Sequence, residues 1–301
     1  MHDAFRHHSR VDLPDRVASL LKTDAVRTEP RGGAITGDRW RVELADGREV
    51  FAKTRVGAPD GFFAVEADGL GWLADAAGGP PVPEVLAHDD EVLLLPWMRE
   101  EEAAADAPER LGRELAALHS AGAASFGAER DGWIGAAGLD NRLAPDWPEF
   151  YADRRLDPYV RTLRERGELG AGEAAVFSRL TDRLEELAGP PEPPARLHGD
   201  LSSGNVLWSG GRGWLVDPAA HGGHRETDLA MLALFGARRA AGLDRLLAAY
   251  DEVAPLTRGW RERVRLHQLH PLLVHAVLFP GGSYLSTALR YAAAYAGDRL
   301  P

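Results

Sequence analysis

Leu197-His198-Gly199-Asp200-Leu201-Ser202-Ser203-Gly204-Asn205-Val206-Leu207-Trp208 is the stretch from which the fold is read. It predicts a short apolar strand, a tight loop carrying Asp200 and Asn205, and a second short apolar strand. Downstream, Trp214-Leu215-Val216-Asp217-Pro218 predicts another apolar strand, this one ending on a carboxylate. Asp and Asn often do no more than shape turns. Here a histidine two residues before the first carboxylate, strand-like flanks and a second strand ending in Asp ask for more than turn chemistry.

Those residue types suit the transfer of a phosphoryl group. A hydroxyl that attacks a γ-phosphate needs a carboxylate to orient it and take its proton, and Asp200 can do this. A bound triphosphate needs Mg²⁺, a hard cation that takes oxygen ligands. Asn205 offers an amide oxygen and Asp217 a carboxylate. The order Asp, four residues, Asn, then a later Asp is the kinase catalytic template.

Composition bounds the rest. At 301 residues the chain suits two lobes and a substantial core. A net charge of -11 argues against nucleic acid or an anionic membrane as partner. With no cysteine there is no disulfide, thiolate metal site or cysteine nucleophile. Met1-His2-Asp3-Ala4-Phe5-Arg6-His7-His8 lacks an apolar targeting core, and no later run is of spanning length, so a cytoplasmic location is expected. Of the 35 Lys and Arg, only Lys22 and Lys53 are lysine. A lysine inside a strand of such a chain calls for a reason, because arginine does not replace a compact point charge.

Residues 11–22 predict a short helix. Trp40, Val42 and Leu44 then alternate with polar residues as in a strand, Asp46-Gly47 marks a hairpin turn, and Glu49-Val50-Phe51-Ala52-Lys53 returns. Gly32, Gly33 and Ala34 precede this hairpin, where backbone N–H groups can approach phosphates. Lys53 on the returning strand is placed to bind α/β-phosphates, and Glu66, early in a helix over 60–77, is placed to hold it. His88-Asp89-Asp90 is a turn, and Val92-Leu93-Leu94-Leu95 a buried strand. It leads to Pro96 and Met98, whose carbonyl and N–H suit an adenine edge or simply end a core strand. These limits give a first part of 1–98 with the nucleotide-binding hairpin and hinge, and a second of 99–301.

The second part is mostly helical, the whole being α+β. Leu111, Leu115 and Leu118 share a helix face. Helices are expected near 147–166, 173–188, 240–253, 257–279 and 283–297. Thr227-Asp228 begins a further helix, where Asp228 either caps it or braces the catalytic loop. His221 and His224 lack a third ligand nearby in sequence and make a poor zinc motif. His267, His270 and His275 are expected as core or surface histidines.

Taken together, these segments resemble the fructosamine kinase family, the ketosamine-3-kinases. The resemblance rests on His198-Gly199-Asp200-Leu201 with Ser203-Gly204-Asn205. It also rests on Asp217-Pro218-Ala219, Gly222-Gly223-His224-Arg225-Glu226 and Asp228-Leu229-Ala230-Met231, on Glu66-Ala67 with Gly69-Leu70 and Trp72-Leu73, and on His270-Pro271-Leu272-Leu273-Val274-His275.

The resemblance implies a bilobal protein-kinase-like fold, with an N-lobe antiparallel sheet, one main N-lobe helix and a helical C-lobe. It implies ATP- and Mg²⁺-dependent phosphorylation of the 3-hydroxyl of a small-molecule or protein-bound ketosamine, a deglycation repair. Asp200 is then the base, Asn205 and Asp217 the metal ligands, and Lys53 with Glu66 the phosphate grip. Acceptor-contact candidates are Asp200, Ser202, His224 and Glu226. Two residues depart from the family pattern: Ser202 stands where Trp is usual, and Ala34 where Cys is common. Alternatives are a kinase for another amino-bearing molecule such as an aminoglycoside, or a catalytically silent nucleotide-binding protein. A monomer or homodimer is expected.

Overall fold

Trp40, Val42 and Leu44 give strand β2 (Gly37–Leu44) one apolar face. Asp46-Gly47 turns the chain into β3 (Glu49–Thr54), with Gly47 at φ +83° and its N–H donating to the Leu44 carbonyl. The computed structural model describes residues 12–34, 36–235 and 242–297. Among these, β1 (Ala25–Ala34), β2, β3, β4 (Ala87–His88) and β5 (Val92–Pro96) form an antiparallel sheet in the order β1-β2-β3-β5-β4. Helix α1 (Leu13–Leu21) packs Leu13 and Val17 against Val42, Leu44, Val50, Ala52, Val92 and Leu94. Alternation along β3 sends Phe51 and Lys53 to the opposite face. The turn at 88–90 forms as expected, the Asp89 carboxylate accepting from the N–H groups of Glu91 and Val92.

Strand β1 is the element that periodicity does not predict. Pro30 interrupts it, and its pairing with β2 slips between Ala25 and Arg27 and again between Pro30 and Gly33.

The chain divides into two compact units. One runs up to Gly71 and includes Pro83–Arg99; the other takes Trp72–Val82 and everything from Glu100. The detour at 72–82 has a packing cause. Leu73, at the end of helix α2 (Phe62–Ala74), and Ala76 belong to a cluster with Leu111, Leu115, Leu201 and Leu215.

In the second unit, α3 (Ala107–Ser120) buries Leu111, Leu115 and Leu118. The helix expected over 147–166 is α4 (Trp147–Phe150), a wide π turn (Tyr151–Leu156) and α5 (Asp157–Glu165). That expected over 173–188 is α6 (Ala171–Thr181) and α7 (Leu184–Leu187). β6 (Gly132–Ile134) pairs with β7 (Ala137–Leu139), and β8 (Ala195–Leu197), β9 (Val206–Ser209), β10 (Arg212–Leu215) and β11 (His221–Gly223) make two further short ladders, β9 with β10 and β8 with β11. α8 (Glu226–Phe235) and α9 (Leu243–Val253) follow, the start expected near 240 lying outside the described residues. The single helix expected over 257–279 is two, α10 (Trp260–His267) and α11 (Leu269–Leu278). They break at Gln268, whose side chain donates to the Ala230 carbonyl. α12 (Tyr284–Ala296) closes the described chain. Among the described residues no helix is long and apolar enough to cross a membrane.

Candidate active site

In the first unit, the Lys53 ammonium lies 2.6 Å from a Glu66 carboxylate oxygen, both side chains largely buried. The ladder fixes the lysine through the Arg39–Lys53 and Lys53–Leu93 positions, while α2 carries the glutamate. A buried ammonium needs such a partner. Gly32 and Gly33 lie near the end of β1, Gly32 at φ +88°, and Ala34 pairs with Gly37. Pro96 ends β5 opposite Val50, and Met98 follows two residues later.

In the second unit the loop after β8 is tied at every turn. The Asn205 side-chain amide donates to the Asp200 carbonyl at 2.8 Å and to its carboxylate at 3.0 Å. Those bonds spend the Nδ2 hydrogens and leave Oδ1 as the acceptor end of Asn205. His198 accepts the Asp200 N–H on Nδ1 and donates from Nε2 to the Val216 carbonyl, at 3.2 and 3.0 Å. Burial lowers the pKa of its imidazole and favours this neutral form. Val216 N–H donates to the Asn205 carbonyl, and Ala219 N–H to that of His198. Asp200, Asn205 and Asp217 are thus held by one mesh of bonds. Gly199 is required within it: φ is +81°, and a Cβ there would stand 2.1 Å from the Ala219 carbonyl oxygen. Asp217 itself has φ +57°, a conformation L-residues usually leave to glycine. The donor set, one amide oxygen and carboxylates, fits a hard divalent cation.

Asp228 underpins the mesh. Fully buried at the start of α8, its carboxylate accepts the N–H of His198 at 2.8 Å on one oxygen and that of Gly199 at 3.0 Å on the other. His119 on α3 adds Nε2–H at 3.3 Å, and its Nδ1 faces the Tyr250 hydroxyl at 2.9 Å. Burial opposes ionisation of Asp228, yet His119 and His198 outweigh it and lower its pKa. Of the two roles open to Asp228, the structure gives bracing the loop. The contribution of His119 is not visible in the sequence, since it comes from 109 residues away.

His224 and Glu226 take a different place from the acceptor contacts expected of them. Both are buried, at 4% and 3% exposure. Arg263 on α10 hydrogen-bonds both Glu226 oxygens, Nε at 2.9 Å, and His267 Nε2 lies 3.4 Å away. The carboxylate is consumed by interior partners, so neither residue is assigned to the acceptor. His267 supplies the third ligand type that the sequence around His221 and His224 lacked. The guanidinium already neutralises the carboxylate, and His224 Nδ1 accepts the Glu226 N–H, so the cluster reads as an ion-pair network. His221 is buried apart from it, donates from Nδ1 to the Ala219 carbonyl, and is held by burial at about 3.

Burial raises the Glu226 pKa, but His267 and Arg263 outweigh it and take it from 4.5 to about 2. A depressed carboxyl stabilises the fold above its unfolded pKa and loses that stabilisation as pH falls through the folded one. Glu226→Gln is therefore expected to flatten the Tm-against-pH curve between pH 4.5 and 2. An acid limb as steep as in the wild type would remove Glu226 from this account.

The fold recurs in solved phosphotransferases. The ADP-bound aminoglycoside phosphotransferase APH(2″)-Ib superposes with a TM-score of 0.59 over 93% of this chain and 97% of its own, at 14% identity, a likeness of fold alone. The fold is that of the protein-kinase-like phosphotransferases. The sequence pattern described as fructosamine kinase matches residues 19–295, and the chain belongs to that family. A protein from Thermobifida fusca whose crystal structure is assigned as a fructosamine-3-kinase is 48% identical, with a TM-score of 0.88 over 94% of this chain and 98% of its own. A relative from Enterococcus faecium assigned as a ketoamine kinase is 33% identical over 89% of this chain and 94% of its own. The chain is accordingly a phosphotransferase acting on an alcohol group.

Proposed function

We propose that this protein transfers the γ-phosphoryl group of ATP to the 3-hydroxyl of a ketosamine, the sugar adduct of an amine. The observation that carries this reading is the clamp of Asn205 on Asp200, with His198 tying Asp200 to Val216 beside Asp217. Asp200 orients the acceptor hydroxyl and takes its proton. Lys53, steadied by Glu66, binds the α/β-phosphates, with Gly32, Gly33 and Ala34 contributing backbone and Pro96 and Met98 meeting the adenine edge. Asn205 Oδ1 and the Asp217 carboxylate hold Mg²⁺, which neutralises charge on the transferring phosphate. The protein's share of the catalysis is mainly positioning and electrostatics. The 3-phosphate destabilises the adduct, so the activity serves repair of glycated amines.

The test is ATP consumption with Mg²⁺ against a fructosyl-amine, a ribulosyl-amine, free fructose and an aminoglycoside. Turnover confined to the two ketosamines is the expected result. Turnover on the aminoglycoside alone would overturn the acceptor assignment and keep the phosphoryl chemistry.

A further inference from the structure

Beside the catalytic loop lies a cluster of rings that the phosphoryl chemistry leaves unused. Ser203, three residues after Asp200, donates its hydroxyl to the carbonyl of Phe235, the last residue of α8, at 3.0 Å. Three residues of chain span at most about 11 Å. The Phe235 ring stacks on His275 of α11, with centroids 4.4 Å apart and planes at 30°. His275 in turn lies 5.6 Å from Phe279 and 5.0 Å from Tyr284, and those two rings are 6.4 Å apart. Phe279 is 45% exposed although it is a large apolar side chain. The other three are half-buried.

The chemistry of this cluster is compatible with a cationic ligand. His275 donates Nδ1–H to the Pro271 carbonyl at 2.8 Å. Its Nε2 therefore carries a lone pair, and has no hydrogen-bond partner among the described residues. Burial lowers the His275 pKa, more than the Pro271 bond raises it, so the ring stays neutral near pH 7 and does not repel a positive charge. Aromatic faces attract cations and cover methylene stems, and a neutral imidazole nitrogen accepts an ammonium N–H. The net charge of -11 favours the same sign of ligand.

We propose that Phe235, His275, Phe279 and Tyr284 form an amine-binding box beside the catalytic loop. It takes the protonated amine of the acceptor and the first methylenes of its substituent, as in a glycated lysine side chain. The proposal rests on the ketosamine kinase reading. It extends that reading by naming the groups that distinguish an amine adduct from a plain sugar.

The test compares two acceptors at saturating ATP: the fructose adduct of butylamine, and 1-O-butylfructose, in which a neutral ether oxygen replaces the amine. Wild type is expected to prefer the amine in kcat/KM. Phe279→Ala is expected to reduce that preference about tenfold, the size of a partly desolvated cation–π contact, and Phe279→Trp to restore it. An unaltered preference, including a loss of activity in equal proportion on both acceptors, would overturn the box. Should wild type turn over neither compound, the kinase reading fails separately. Calorimetric binding of the same pair then decides the box: tighter amine binding that Phe279→Ala weakens supports it, and equal or absent binding overturns it.

Discussion

Asp200→Asn is expected to lower kcat about 10²–10⁴-fold while leaving ATP affinity and melting temperature near those of the wild type. The change removes the proton acceptor, and general-base contributions reach about 10²–10⁴-fold. It spares the architecture, because an amide oxygen can still receive the Asn205 Nδ2 hydrogen that the carboxylate receives at 3.0 Å. The Asn205 and His198 side chains also bond the Asp200 carbonyl and N–H, which belong to its backbone and are untouched by the substitution. Single-turnover phosphorylation and ATP titration measure the two halves. Undiminished turnover would show that Asp200 is not the base.

Asp228→Asn is expected to be nearly as damaging, for a different reason. Each carboxylate oxygen accepts a backbone N–H, one from His198 and one from Gly199. An asparagine has one acceptor and must turn an NH₂ group towards the second donor. A buried donor left without a partner costs about 1–3 kcal/mol, and the His119 bond faces the same competition. The variant should melt several degrees lower and lose at least about 10²-fold in kcat, the loop that carries Asp200 no longer being held in place. Because Asp228 acts through the loop, KM for ATP should move much less than kcat. A variant with normal kcat and a lowered Tm would confine Asp228 to stability.

The chain discloses most where a local rule and a chemical demand coincide. Asp46-Gly47 between two alternating runs gave the β2–β3 hairpin, and a lone strand lysine gave its partner Glu66, found at 2.6 Å. The spacing of Asp200 and Asn205 marked a loop in which the two are bonded to each other, with Asp217 following Val216, whose N–H donates to the Asn205 carbonyl. What stayed hidden depends on long-range pairing. Strand β1 is masked by Pro30 and two slips of register. The β8–β11 ladder is three residues long and joins segments 24 residues apart at Leu197 and His221. Glu226 looked accessible because nothing near it in sequence foretells Arg263 and His267, brought in by α10. The ring box draws on α8, α11 and α12, whose helical periodicity shows that each has an apolar side but not which rings meet.

Asp217 has a consequence for anyone evolving this protein in the laboratory. Its φ of +57° lies in a region that aspartate enters more readily than most L-residues and that glycine enters freely. A library screened for heat resistance alone has no reason to reject Asp217→Gly on backbone grounds, and would then lose a proposed metal ligand unseen. Thermal robustness does not report on turnover at this one codon, so any such screen needs an activity gate from its first round.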